Sequence, residues 1–177
     1  MNTRKENRLK DYDYSRSGVY FITICVKDRR PLLSRIDAAV VGASIARPGS
    51  PDAPAGLRPE LSEIGMIVDH AIRSIPVYYT NASVDNYVIM PNHVHLLIRI
   101  DNENGRAMPA PTGMPAVSGM IQQLKGYVTK QCGEAIWQKS FHDHVIRCEQ
   151  DYLNIWNYID GNPLKWCEDE YFCSLQG

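Results

Sequence analysis

Two histidines separated by one residue form the segment of this sequence with the clearest chemical potential. They are His93 and His95, in the run PNHVHLLIRI at residues 91–100. Because side chains alternate across a β-strand, both imidazoles project from one face at a spacing that lets them bind a single divalent ion. Such a pair is also compatible with two exposed histidines that have no role. A metal site is therefore predicted only if other residues join the pair.

Two other segments could supply those residues. In the first, His142 and His144 would complete a four-histidine site if the fold brought the two pairs together. In the second, Tyr158 lies off the apolar stripe of a predicted helix, and Asn162 follows one turn later. Pro163 disfavours helical geometry at Asn162, so the helix should end just before it and leave the amide free to turn toward Tyr158. A tyrosine buried in the core is the alternative interpretation.

The elements that must position these residues are indicated by apolar periodicity. Runs of aromatic and β-branched residues predict strands at 19–26, 83–90 and 93–100, the last two as an antiparallel hairpin, and an extended segment at 135–147. Spacings of three and four residues predict helices from Ser62, as N-cap, to Pro76, at 117–131 and at 150–159. The buried stripe of the last helix is predicted to be Tyr152, Ile155, Trp156 and Ile159.

The order strand, helix, hairpin, helix, strand, helix predicts an α+β fold. We expect a ferredoxin-like antiparallel sheet with helices packed on one face. On the strand at 93–100, the core face should be formed by Val94, Leu96, Ile98 and Ile100, opposite the histidines. Residues 38–58 crowd Pro, Ala and Gly without periodicity and are predicted to be a loop insertion. The whole chain, 1–177, is then a single domain.

Composition and charge narrow the functional classes. With 44% hydrophobic and 22% charged residues the composition is that of a globular protein, and no apolar run approaches the roughly 20 residues of a membrane span. Five cysteines without a C-x-x-C pair favour reduced thiols in the cytoplasm. The net charge is −1, but residues 1–30 carry +4, which is compatible with a phosphate-binding surface or with a solvated tail.

Three blocks of the sequence, in this order, resemble the REP-associated tyrosine transposases, which are relatives of the single-tyrosine HUH transposases. The blocks are RLKDYDYSRSGVYFITICVKDRR, YVIMPNHVHLLI and FHDHVIRCEQDYLNIWNYIDGNPLKW. They cover most of the chain apart from residues 38–58 and the loop after Ile100. The slightly acidic net charge and the Pro/Ala-rich insertion depart from the expected pattern, but neither affects the site residues.

The resemblance implies a role for each residue of the candidate site. His93 and His95 would bind the divalent ion, Mg²⁺ or Mn²⁺, Asn162 would complete its ligands, and Tyr158 on the C-terminal helix would be the nucleophile. His144 and Arg147 are candidate DNA contacts or supports of the site, and Lys125 is a candidate phosphate contact. From the charge of the N-terminal region, DNA contacts are also expected from Arg4, Lys5, Arg8 and Lys10. The implied activity is cleavage and rejoining of single-stranded DNA, or of hairpins of repetitive extragenic palindromes (REPs), through a 5'-phosphotyrosine intermediate, by a monomer or a homodimer.

Two other functions compete with this interpretation. Histidine-triad nucleotide hydrolases present an H-x-H-x-H strand to phosphate, but Leu97 occupies the third position here. A DNA-hairpin-binding protein could keep the fold without cutting. Covalent capture of DNA separates the transposase from both alternatives.

Overall fold

The computed structural model of the chain describes residues 17–37, 58–101, 116–168 and 171. The strands in these ranges are β1 Gly18–Cys25, β2 Ser34–Arg35, β3 Glu60–Leu61, β4 Ala82–Ile89, β5 His93–Ile100 and β6 His142–Ile146. The helices are α1 Glu63–Arg73, α2 Ile75–Tyr78, α3 Ala116–Cys132 and α4 Glu149–Gly161. Short 3-10 segments follow β1, at Lys27–Arg29, and α4, at Asn162–Glu168.

The main sheet contains four strands in the order β4-β5-β1-β6, and every neighbouring pair is antiparallel. With α1 between β1 and β4 in sequence and α3 between β5 and β6, this is the split β-α-β arrangement of a ferredoxin-like fold. The predicted α+β class is confirmed. The small sheet formed by β2 and β3 was not indicated by the sequence, because strands of two residues are too short to show periodicity.

Different helices cover the two faces of the main sheet, so the prediction that the helices pack on one face holds for α1 and α3 but is wrong for α4. The predicted core face of β5 packs with α1 and α3 into the larger apolar cluster. The histidine face carries a smaller core formed by Val19, Val88, Met90, Leu97, Ile159 and Trp166. The predicted stripe of α4 packs against this smaller core. The C-terminal helix therefore lies over the same face of the sheet as His93 and His95.

The predicted N-cap of α1 is confirmed. Ser62 has extended backbone geometry, and its hydroxyl oxygen accepts a hydrogen bond from the Gly65 amide at 3.0 Å. The first turn lies directly against the chain leading to β2, because a Cβ at Gly65 would stand 1.9 Å from the carbonyl oxygen of Leu33. A glycine is therefore required at this approach.

Some sequence predictions fall outside the described residues. These are the basic residues Arg4, Lys5, Arg8 and Lys10 and nearly all of the predicted loop insertion at 38–58. Their roles, and the single-domain organisation of 1–177, stay predictions. In the part of the chain that the structure covers, no helix has the length and apolar character needed to cross a membrane.

Candidate active site at the histidine pair

The histidine pair lies at the start of a central strand of the sheet. In the register of the sheet His93 is opposite Cys25, and His95 is opposite Thr23 of β1 and Val88 of β4. Hydrogen bonding to strands on both sides holds the β5 backbone in place. His93 is 0% exposed and His95 is 1% exposed. The predicted common orientation of the two imidazoles is observed, but they are buried, which excludes the interpretation of the pair as two exposed histidines.

Each imidazole is oriented by a hydrogen bond at Nδ1. His95 Nδ1 is 2.9 Å from Oγ1 of Thr23, and His93 Nδ1 is 2.9 Å from Oδ1 of Asn92. The Asn92 amide nitrogen donates to two carbonyl oxygens, of Arg29 at 3.2 Å and Tyr171 at 2.7 Å. Its oxygen must then accept from His93, so His93 carries its proton on Nδ1 and a lone pair on Nε2.

Burial keeps both imidazoles uncharged. Desolvation, with a smaller contribution from the positive charge of Arg29, lowers the pKa of His93 to about 3. Desolvation, with a smaller electrostatic contribution from His93, lowers the pKa of His95 well below its usual value of 6.5. Neutral imidazole is the form that binds metal ions, so the pair needs no deprotonation before binding one at neutral pH.

The geometry of the pair fits a divalent ion. The two Nε2 atoms lie 3.0 Å apart. Two nitrogens bound at right angles to one ion, each at about 2.1 Å, are separated by about 3 Å. In the described part of the chain no group of three His, Cys, Asp or Glu side chains converges in this way. Among the described residues this leaves amide oxygens as further ligands, which together with water or phosphate oxygens suit Mg²⁺ and Mn²⁺.

Tyr158 reaches the pair from α4. Its hydroxyl oxygen is 3.3 Å from Nε2 of His95, and the two ring centroids are 5.1 Å apart. The ring of Phe21 on β1 contacts both side chains. It is stacked on His95 with ring centroids 5.2 Å apart, and it meets Tyr158 edge-on with ring centroids 6.0 Å apart. Because Tyr158 is 42% exposed, the alternative of a core tyrosine is wrong. Its hydroxyl lies at the boundary between the buried imidazoles and solvent.

Asn162 lies one turn beyond Tyr158. The α-helix ends at Gly161, as predicted. The backbone of Asn162 is nevertheless helical, with φ −59° and ψ −43°, so the prediction that Pro163 removes Asn162 from helical geometry is wrong. The chain continues into a 3-10 segment in which Pro163 occupies the first turn, where the missing N–H is not needed. Asn162 is only 3% exposed. Its role as a metal ligand stays a prediction.

The second pair of histidines does not join the first. His142 and His144 lie on β6, opposite Thr23 and Phe21, so β1 separates them from β5. Among the described residues, which include all four histidines, no group of three or more His, Cys, Asp or Glu side chains is placed to hold one ion. The four-histidine alternative is therefore wrong.

His144 and Arg147 connect β6 to the helix that carries Tyr158. His144 Nε2 is 2.9 Å from the Asp151 carboxylate, and the Arg147 backbone N–H donates to the same oxygen at 3.4 Å. Both residues are exposed. Their predicted contacts with DNA are untested, and the structure gives them a role in holding the start of α4.

The ammonium group of Lys125 binds backbone carbonyl oxygens at residues 138–140. It donates to the carbonyl oxygens of Gln138, Lys139 and Ser140, at 2.6, 3.3 and 3.2 Å. Burial lowers the pKa of Lys125. Since an ammonium group has three donors, a phosphate contact would require these bonds to be exchanged. The predicted phosphate contact of Lys125 stays a prediction.

Polar contacts also fix the position of α4 over the sheet. Asp85 of β4 accepts hydrogen bonds from Arg99 at 2.6 Å and from the Tyr152 hydroxyl at 3.1 Å. Nearer the C-terminal end of the helix, the Asn86 amide donates to Asp160 at 3.0 Å. With the Asp151 contacts, these bonds hold the helix at both ends of the segment that contains Tyr158.

Several residues around the site were not identified from the sequence. They are Phe21, Thr23, Arg29, Asn92 and Tyr171. Asn92 immediately precedes His93 and could have been noticed for that reason. Thr23 and Phe21 carry no signal of their own, because their relevance depends on the register between β1 and β5.

Comparisons with known proteins identify relatives of this chain. The chain is 28% identical over 188 residues to an uncharacterized protein of Haemophilus influenzae, covering 97% of this chain and 94% of that one. It is 30% identical over 83 residues to the REP-associated tyrosine transposase of Escherichia coli K12, a match that covers 46% of this chain and 44% of the transposase. No protein-family model matches the chain.

A solved structure shares the fold. It is that of a REP-associated tyrosine transposase bound to a REP hairpin, with a TM-score of 0.57 and 22% identity, covering 89% of this chain and 73% of that one. At this level of identity the likeness establishes the fold. Together with the sequence matches, it confirms the resemblance that the three sequence blocks indicated.

Proposed function

We propose that this protein, a relative of the REP-associated tyrosine transposases, cleaves and rejoins single-stranded or hairpin DNA through a 5'-phosphotyrosine intermediate. The observation that carries the proposal is the position of the Tyr158 hydroxyl, 3.3 Å from Nε2 of His95, on a residue that is 42% exposed. A nucleophile must stand beside the group that stabilises the phosphate and must remain accessible to DNA. Tyr158 meets both requirements.

The proposed substrate is a DNA hairpin of the REP type. The related solved transposase is bound to such a hairpin, which supports the same class of substrate here. The site also favours an unpaired strand, because the attacked phosphate must approach two imidazoles buried beneath Phe21 and α4.

The proposed cofactor is Mg²⁺ or Mn²⁺, held by His93 and His95, with Asn162 as a further ligand. When bound, the ion supplies positive charge to a non-bridging oxygen of the scissile phosphate. Thr23 and Asn92 keep the two Nε2 atoms directed at the same point through their bonds to the Nδ1 atoms. Such outer hydrogen bonds commonly determine how well a histidine binds metal.

In the cleavage step the Tyr158 oxygen attacks the phosphorus atom in line with the leaving group. The O–P bond to tyrosine forms as the bond to the 3' oxygen of the DNA breaks. The phenol loses its proton, and the released 3' oxygen takes one up to become a hydroxyl. Because one phosphodiester replaces another, the step can run in reverse onto a different 3' end, which accomplishes strand transfer.

The experiment is incubation of the protein with a labelled REP-type hairpin and Mg²⁺ or Mn²⁺, followed by denaturing electrophoresis. We expect a labelled adduct that survives denaturation. Binding without an adduct would instead identify a non-catalytic hairpin-binding protein. If the protein neither binds the hairpin nor forms an adduct but hydrolyses a mononucleotide, a histidine-triad-like hydrolase would be favoured. That function is disfavoured because Leu97, at the position of the third histidine, is buried in the smaller core.

A further inference from the structure

We propose that Arg29 binds a backbone phosphate of the DNA at, or next to, the scissile bond. This inference rests on the proposed function, because it assigns a substrate contact within the same site. Arg29 belongs to the turn that follows β1 and was not distinguished from its basic neighbours by the sequence.

The backbone of Arg29 is held in an unusual conformation. Asp28 and Arg29 both have positive φ values, 58° and 54°, in the left-handed region that non-glycine residues rarely adopt. The Arg29 amide donates to Val26 at 3.2 Å, and its carbonyl oxygen accepts from the Asn92 amide at 3.2 Å. Strained backbone of this kind occurs preferentially at functional sites. The residue that orients His93 thus also fixes the Arg29 turn.

The side chain of Arg29 lies at the edge of the metal site. Its guanidinium carbon is 5.4 Å from the centre of the Tyr171 ring, and that ring is 4.6 Å from the ring of His93. Arg29 is exposed, so its guanidinium remains accessible to a ligand at the edge of the site.

The neighbouring arginines are placed differently. Arg30 lies 3.7 Å from the Glu134 carboxylate, and Arg99 is bonded to Asp85. Arg29 lies against the ring of Tyr171, beside the histidine pair. A guanidinium presents a planar fork of N–H donors that matches two phosphate oxygens, and an aromatic ring beneath it restricts its orientation. A DNA strand that places one phosphate at His93 and His95 must bring its backbone past this group.

The test measures DNA binding without cleavage, in the Tyr158→Phe background. Hairpin affinity is determined across a range of salt concentrations for the parent, Arg29→Gln, Arg29→Lys and the matched control Arg30→Gln. We expect Arg29→Gln to reduce the salt slope by about 0.7, the value for one phosphate of a single strand. Arg29→Lys and Arg30→Gln should keep the slope of the parent. Equal slopes for Arg29→Gln and the parent would overturn the proposal.

A second measurement identifies the contacted phosphate. Hairpins carrying one neutral methylphosphonate at successive positions should bind the parent more weakly at one position near the cleaved bond, and Arg29→Gln should show no such loss there. A loss at that position in both proteins would contradict the contact. This comparison also excludes a purely structural role of Arg29 against Tyr171, which would not depend on any single phosphate.

The outcomes separate this inference from the proposed function. With Tyr158 present, Arg29→Gln should slow adduct formation by about tenfold to a hundredfold, as expected for loss of a charged hydrogen bond. An adduct that forms at the same rate in wild type and Arg29→Gln, with unchanged salt slopes, would disprove the Arg29 contact alone. A reduced slope in Arg29→Gln without any adduct in the wild type would disprove the cleavage function and preserve the contact.

Discussion

The hydroxyl of Tyr158 lies 3.3 Å from Nε2 of His95, although 63 positions separate the two residues in the chain. The same nitrogen is 3.0 Å from Nε2 of His93. A single imidazole thus links the candidate metal ligands to the candidate nucleophile. This relationship makes the roles of the three side chains separable by substitution.

Replacing Tyr158 by phenylalanine should abolish the covalent adduct and leave hairpin binding unchanged. The substitution removes the attacking oxygen and retains the ring that contacts Phe21 and His95. Adduct formation and hairpin affinity are measured side by side. Tyr127→Phe is the matched control, because Tyr127 is similarly exposed, at 40%, but lies on α3 against the other face of the sheet. An adduct formed by Tyr158→Phe would show that another tyrosine is the nucleophile.

Replacing His95 by alanine should also abolish the adduct, but excess Mn²⁺ should restore part of the activity. The loss of one of two imidazole ligands weakens metal binding, and a higher concentration of a more strongly bound ion compensates for it. Cleavage is followed across a Mn²⁺ titration, with circular dichroism as the check on folding. Tyr158→Phe provides the contrast, since no metal ion can replace its oxygen. Equal behaviour of the two variants in the titration would argue against His95 as a ligand.

Replacing Thr23 by valine should weaken Mn²⁺ binding by about 10- to 100-fold, the usual effect of losing a hydrogen bond behind a metal-binding histidine. Valine has nearly the same shape as threonine, so the main change is the loss of the 2.9 Å contact to His95 Nδ1. Metal affinity is measured by calorimetry or electron paramagnetic resonance. Thr129→Val on α3, a partly exposed residue, should bind Mn²⁺ like the wild type. Unaltered affinity in Thr23→Val would exclude a positioning role.

The metal-free protein should lose stability as the pH falls from about 6.5 toward 3. The pKa of His93 is lowered to about 3 by burial, whereas an unfolded histidine titrates near 6.5. Between these values the unfolded chain binds the proton and the folded chain does not, so the free energy of unfolding decreases as pH falls. Urea denaturation at several pH values should show a steeper decrease for wild type than for His93→Gln. Parallel curves, or an imidazole that protonates above pH 5 by NMR, would contradict the burial of a neutral His93.

Replacing Gly65 by alanine should destabilise the fold by about 1–3 kcal/mol, the usual cost of overpacking. The added methyl group would meet the Leu33 carbonyl oxygen at 1.9 Å and force α1 away from the chain before β2. Thermal or urea denaturation measures the change. Gly126→Ala is the control, because a Cβ there meets nothing within 4 Å in the described structure, and it should stabilise α3 by about 0.5–1 kcal/mol. Similar effects at both glycines would contradict the close approach of α1.

Local patterns in the sequence predicted the order of the main elements and the two-sided character of β5, and the resemblance to a known family supplied the candidate roles of His93, His95 and Tyr158. Alternation places the histidines opposite Leu96 and Ile98, and helical spacing separates Tyr158 from the buried stripe of α4. These properties depend on neighbours within one element, so a local pattern expresses them. The cytoplasmic location, the dimeric or monomeric state and the recognised palindrome stay predictions.

Which of the candidate site residues lie close together depends on the tertiary structure. The register of β1 against β5 puts Thr23 beside His95, and β1 lies between His142 on β6 and the histidine pair on β5. The backbone at Asn162 stayed helical despite Pro163, because the 3-10 segment that follows accepts a proline in its first turn. Arg29 and Arg30 look equivalent in the sequence. In the folded chain, Asn92 donates to the Arg29 carbonyl oxygen and the Arg29 guanidinium lies over the Tyr171 ring. Contacts between distant segments depend on register and helix packing, which no local pattern in the sequence specifies.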